Sequence, residues 1–426
     1  MPELARDVLL LGTDEAGYGP NLGPLLVGAS GWLVENVALP DVALDAFALP
    51  STPPTQTPPP PPKPRKTSKK RRLALDATPT FFAAFPGEAG EATTPEPAQA
   101  PTSASALPAP FDVCLERFNA GFAPIADAKG VFPILDSKKL YGAGRSLANL
   151  ERTVLVALAL LGLNPATARD ALTQIAPADV SNAPDAAPPW ERRPFPRLPV
   201  DPKSFASSDA LAETANAVDA FLRRQDVRLL RLAARRVQAD ELNRYFATGR
   251  LKSDAIAEYT TSLLVETLDA ALRQASVPPG VVAPCLALCD KLGGRNDYGE
   301  VLARRFPNAA FQIVCETRAV GIYRALVETA LDRDGRTLRF PNVVALEIRF
   351  TAKGEANRPT ALASICAKYF REISMTLFND FWREATGNPN LAPTAGYPVD
   401  ALRFRADVED ARRRLAIDDD VFWRSK

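Results

Sequence analysis

The chain contains no histidine. That excludes a Ser-His-Asp triad, a Cys-His dyad and any histidine-bound metal centre, so acid–base or metal chemistry must come from Asp, Glu, Lys, Tyr or Cys. Cysteine is scarce. Five are spread over 426 residues (Cys114, Cys285, Cys289, Cys315, Cys366), mostly inside apolar runs, the pattern of reduced core thiols in a cytoplasmic protein. Cys285 and Cys289 could pair on a metal, but no further ligands stand at zinc-like spacing. Net charge is nearly absent: 51 basic against 50 acidic residues leave +1, so any electrostatic attraction to a partner must be local. No run approaches the ~18 uninterrupted apolar residues of a membrane span. The N-terminus also lacks the basic start and long apolar core of a signal peptide. Apolar residues are plentiful, at 46%, and can build a sizeable core.

Residues 7–13 and 24–34 read as two strands, an antiparallel pair joined by a glycine-containing loop. From about 50 to 110 the composition shifts to proline, then lysine and arginine, then Ala, Pro, Thr and Glu. Most of that stretch cannot bury enough apolar surface to offset the cost of ordering, although "LALDATPTFFAAF" within it is apolar enough to dock. Seven of the ten residues in 63–72 are basic, so a flexible arm there would add salt-sensitive affinity for phosphates or serve as a solubilising linker. Residues 176–204 form a second proline-rich run. Helical spacing marks 145–162, 208–224 (capped by Ser208 or Asp209), 239–246, 252–274 and 358–384, the last with Pro359 in its first turn. Strands are expected at 226–237, 284–290, 311–317 and 342–351. Such a mixture predicts an α/β protein with a mixed sheet.

Three strands share one feature: each apolar run ends on acid, in "LLLGTDE", "LALCD" and "EIRFTAKGE". Ligands of open α/β sheets collect at one edge, where strand ends and loops meet. If the three ends converge, Asp14, Glu15, Asp290 and Glu355 become neighbours that cannot all stay ionised unaided. Divalent cations relieve such repulsion, and an oxygen-only ligand set selects Mg²⁺ or Mn²⁺. Two such ions would suit phosphodiester hydrolysis. The bland reading of each acid is a turn former or helix cap. A dinucleotide-binding reading of "GYGPNLG" suits the adjacent acids and Pro20 badly, because that motif should open a helix.

The segment "TDEAGYGPNLGPLLVGA" resembles the opening Asp-Glu-Ala-Gly-Arg-Gly-Pro motif of type 2 ribonucleases H. "LDSKKL" (135–140), "ADELN" (239–243), "LCDKLGG" (288–294), "KGEANRPTALASICAKYFREISM" (353–375) and "AGYP" (395–398) resemble that family's later blocks, in family order, from residue 7 to about 405. The resemblance implies a ribonuclease H-like fold, with a discontinuous nuclease domain over 1–40 and 111–426 interrupted by insertions at 41–110 and 163–207. It implies that Asp14, Glu15, Asp290 and Glu355 are the catalytic, metal-binding carboxylates. By the same resemblance Gly17 and Gly19 would let the backbone approach a ribose 2′-hydroxyl, and Tyr397 would stack on the sugar. Lys138, Lys139, Ser364 and Lys368 would contact phosphates. The last two are four residues apart and share a helix face.

Two positions depart from the family pattern. Tyr18 stands where the family carries arginine, so it would meet substrate by stacking rather than by a phosphate contact. Glu355 stands where the family carries aspartate and remains a hard oxygen ligand. The expected partner is an RNA–DNA hybrid or ribonucleotide-containing DNA, with Mg²⁺ or Mn²⁺, no membrane, and a monomeric cytoplasmic enzyme. The expected products carry 3′-hydroxyl and 5′-phosphate ends. Two rival expectations are a nuclease of the same fold acting on DNA, and a non-catalytic nucleic-acid-binding relative.

Overall fold

The computed structural model describes residues 4–39, 47, 111–127, 131–142, 146–176, 187–292 and 294–425. The basic run at 63–72 and the apolar stretch at 73–85 lie outside them.

A seven-stranded mixed sheet runs β3-β2-β1-β4-β7-β6-β5, flanked by helices, as the sequence pattern predicted. The strands are β1 (Val8–Ala16), β2 (Leu25–Val34), β3 (Val227–Val237), β4 (Ala283–Asp290), β5 (Gln312–Glu316), β6 (Val320–Leu331) and β7 (Thr337–Thr351). In chain order the helices are α1 (Asp112–Phe122), α2 (Ser137–Tyr141), α3 (Ala148–Leu160), α4 (Ala168–Ile175), α5 (Ser208–Arg224) and α6 (Ala239–Ala247). They continue with α7 (Lys252–Ala275), α8 (Gly299–Arg305), α9 (Arg358–Thr386), α10 (Pro398–Arg414) and α11 (Asp419–Phe422). Ser207 caps α5, accepting the Ala210 N–H, one residue before the caps read from sequence.

Strand pairing aims the site. β1 is antiparallel to β2 and parallel to β4, which is parallel to β7. β1, β4 and β7 therefore deliver their C-terminal ends to one edge of the sheet. Side chains alternate along β1: Val8 and Leu10 join one buried cluster, Leu9 and Leu11 the other. The first face is covered by α9 with α1 and α3, the second by α7 and α8.

α9 reads as a core helix with one unusual demand. A Cβ at Gly12 would lie 2.0 Å from the Pro359 carbonyl carbon, so only glycine lets the helix start sit against β1. Pro359 also spends its carbonyl as acceptor for Ser30 Oγ at 2.7 Å, and Thr360 Oγ1 donates to the Leu288 carbonyl at 2.9 Å. The helix origin is thereby fixed to β1, β2 and β4. Gly387 in the left-handed conformation ends the helix.

The described part of 163–207 packs into the same body. Besides α4, it carries buried Trp190, Phe195 and Phe205. A third apolar cluster joins Trp190 to Leu22 of the glycine loop, to Met375, Phe378 and Trp382 of α9, and to Phe404 and Phe422.

Candidate active site

Asp14 and Glu15 lie within the last residues of β1. Thr13 pairs with Cys289, so the next residue of β4, Asp290, arrives beside Asp14; Asp290 in turn pairs with Thr351 at the end of β7. A tight left-handed turn at Lys353 and a 3-10 turn over Gly354–Ala356 then deliver Glu355. The four acids predicted from three distant segments share one edge.

Their environment penalises negative charge. Burial first, then Glu15 and Asp290, hold the Asp14 carboxyl well above the ordinary aspartate range. Burial and then Asp290 raise Glu15 to about 7. Asp290 is raised too, chiefly by burial, although it accepts the Gly354 N–H at 2.7 Å. Lys138 opposes the rise at both Glu15 and Asp290. Asp14 Oδ1 accepts the Glu15 N–H at 2.8 Å, but Asp14 Oδ2 and Glu15 Oε2 are buried with no hydrogen-bond partner. An orphaned carboxylate oxygen in a low-dielectric site calls for a cation or a proton.

Ser364 of α9 stands at the centre. Its Oγ lies 2.8 Å from Glu355 Oε1 and 3.0 Å from Ser137 Oγ, so donating to the carboxylate leaves it an acceptor for Ser137. Asp136 caps α2 by accepting the N–H groups of Lys138 and Lys139, and its carboxyl also contacts Glu355. Asp136 and Ser137 were not among the residues singled out from sequence, although the cap was visible in "DSKK". Lys138 and Lys139 are exposed, and Lys138 lies near Glu15 and Asp290. Lys368 is held by Glu372 at 3.0 Å, with its ammonium 4.5 Å from the Tyr141 ring centroid, so it would reach a phosphate only by exchanging that partner.

The glycine loop has an inward reason for its composition. Gly17 has φ +94°, and a Cβ there would fall 2.5 Å from Arg371 Nε. Beneath the loop Arg424, fully enclosed, donates from Nη1 to the Gly17 carbonyl at 2.6 Å, and from Nε at 2.7 Å and Nη2 to the Gly23 carbonyl. Burial and the neighbouring Arg371 push its guanidinium below the ordinary arginine range. Tyr397 is 56% exposed, and its ring lies 3.4 Å from where a Cβ on Gly19 would sit. Tyr18 is half-buried against the α7 face.

The donor chemistry fits a hard divalent cation: carboxylate oxygens, two of them unpartnered, with no histidine and no exposed thiol. Cys285 and Cys289 are buried core thiols that burial drives upward, Cys289 to about 12, away from the reactive thiolate form. Among the described residues, however, no three acid or cysteine side chains are gathered closely enough to hold a metal ion as they stand. The two observations are compatible. Asp14, Asp290 and Glu355 each engage one oxygen with a protein donor as they stand.

No protein-family model and no curated protein matches the sequence. Among solved structures, a point mutant of Bst-RNase HIII is similar at 14% identity and a TM-score of 0.34, covering 96% of this chain. This chain spans 65% of the length of that one. A superposition this loose decides neither the site nor the reaction.

Proposed function

We propose that the chain is a divalent-metal-dependent endoribonuclease that cleaves RNA in RNA–DNA hybrids, or ribonucleotides embedded in duplex DNA, leaving 3′-hydroxyl and 5′-phosphate ends. One observation carries the reading: two adjacent carboxylates at a buried strand end, each with an oxygen left unpartnered. Asp14, Glu15, Asp290 and Glu355 would hold Mg²⁺ or Mn²⁺, which when bound supplies Lewis acidity toward a phosphodiester. Ser364, itself bonded to Ser137, holds Glu355 in place, and Asp136 fixes the turn that carries Lys138 and Lys139. Those two lysines supply positive charge where a phosphate would lie. Tyr397 offers an exposed ring above Gly19 for a sugar, and the loop backbone beside it is the natural reader of a 2′-hydroxyl.

The test is incubation with Mg²⁺, and separately Mn²⁺, of a labelled RNA–DNA hybrid, a DNA duplex with one embedded ribonucleotide, and an all-DNA duplex. Cleavage only where ribose is present, abolished by EDTA, is the expected result; equal cleavage of the all-DNA duplex would point to a nuclease blind to the 2′-hydroxyl. The ungathered acids favour one rival, a nucleic-acid-binding protein without catalysis. Binding of all three duplexes with cleavage of none would select it.

A further inference from the structure

The cations around the strand ends are arranged on both faces of the sheet. Lys138 and Lys139 sit on α2, whose Leu140 belongs to the buried cluster under α9. Lys252 opens α7 on the opposite face, and its ammonium lies 4.8 Å from the centroid of the Tyr18 ring. Tyr18 is packed on the α7 side, and burial and then Glu15 raise its phenol, so the ring that seats Lys252 also lies near Glu15. Arg250, two residues earlier, is exposed and lies over the Tyr245 ring at 5.3 Å. The acids are thus bracketed, with lysines of α2 on one face and a ring-seated lysine of α7 on the other.

A strand of nucleic acid laid over the acid edge has to leave it on both sides, and each departing phosphate needs a cation. A lysine held on an aromatic face is already ordered and partly stripped of water, so it loses little freedom on meeting an anion. We propose that Lys252, seated on Tyr18, is a phosphate-binding residue for the substrate strand on the α7 face of the sheet. This rests on the nucleic-acid reading above. It makes Tyr18 the seat of a phosphate-binding cation, so charge enters through α7 and not through the loop residue.

The experiment measures anisotropy of a labelled RNA–DNA hybrid against the full chain across a potassium chloride series. An Asp14→Asn background prevents cleavage during binding. Lys252→Ala should weaken binding to hybrid and DNA duplex alike, and should make the slope of log affinity against log salt shallower by about one. Lys252→Arg should keep the slope, and Lys252→Glu should weaken binding beyond the alanine variant. Tyr18→Leu should reproduce the Lys252→Ala loss and Tyr18→Phe should not, because only the first removes the ring. In the cleavage-competent chain Lys252→Ala should raise KM and leave kcat unchanged. An unaltered slope and KM in Lys252→Ala, in a protein that binds and cleaves the hybrid, would overturn this inference alone. Failure of the parent protein to bind any hybrid would remove both this inference and the reading beneath it.

Discussion

Glu151 and Asp14 are both buried carboxylates, and the protein provisions them in opposite ways. Glu151, on α3, accepts from the Val200 N–H at 2.6 Å, the Asp201 N–H at 2.8 Å, Ser204 Oγ at 2.9 Å and the Tyr369 hydroxyl at 2.6 Å. Glu347 is met at both oxygens by Arg324 and Arg349, each donating from Nε at 2.5 Å. Asp14 and Glu15 each keep one buried oxygen with nothing to accept. The difference separates structure from function. Where both oxygens are met from within the chain, the carboxylate holds elements together, Glu151 fastening a proline-rich segment to α3 and α9. Where lone pairs are left open at a strand end, as at Asp14 and Glu15, the proposed function has its cation supply the missing partner.

The sharpest way to break this contrast is Asp14→Asn. It should lower hybrid cleavage by roughly three orders of magnitude or more, while the melting temperature stays level or rises. Wild-type turnover in that variant would dissolve the site. Glu151→Leu should do the reverse, costing about 3 kcal/mol of stability in urea titrations by taking the acceptor from the Val200 and Asp201 N–H groups and the Tyr369 hydroxyl. Residual activity per folded molecule should stay near that of the parent; a neutral effect on stability would make the two acids alike after all.

The smallest expected effect is Glu15→Gln in metal-free protein, and its sign depends on pH. Folding raises the Glu15 carboxyl from its ordinary 4.5 to about 7. Between those values the unfolded chain has released a proton that the folded chain retains, so the parent loses stability as pH climbs through the window. Glutamine carries no such penalty. The variant should therefore match the parent near pH 4 and exceed it by roughly 2–3 kcal/mol near pH 8. A difference that does not change with pH would mean that Glu15 is not strained by its neighbours.

Much of this was legible because apolar runs with period two and terminal acids are local signals. β1, β2, β4 and the long helix α9 follow from them directly, as does the shared edge of the four acids. β6 escaped because "VGIYRALVETAL" interrupts alternation with charge that is satisfied only in the fold, Arg324 meeting Glu347 across the β6–β7 pair. β7 begins at Thr337, earlier than expected, because the irregular register near Val327 and Thr329 accommodates Pro341, which has no N–H to donate. Charged α10 gives too weak an apolar stripe to read. Arg424 could not be found by any window, since its acceptors lie about 400 residues away, at Gly17 and Gly23. Lys252 escaped for the same reason: its ring partner belongs to another segment.

The contact of Pro359 with Gly12 also has a mechanical meaning. Backbone pressed on backbone leaves no side chain to flex between β1 and α9, and the ties to Ser30 and Leu288 remove the remaining play. Strand and helix make one stiff beam. Asp14 and Glu15 ride on one part of it and Ser364 and Arg371 on the other, so one backbone contact sets the acid pair, the hydroxyl that meets Glu355 and the guanidinium under Gly17 in a common frame.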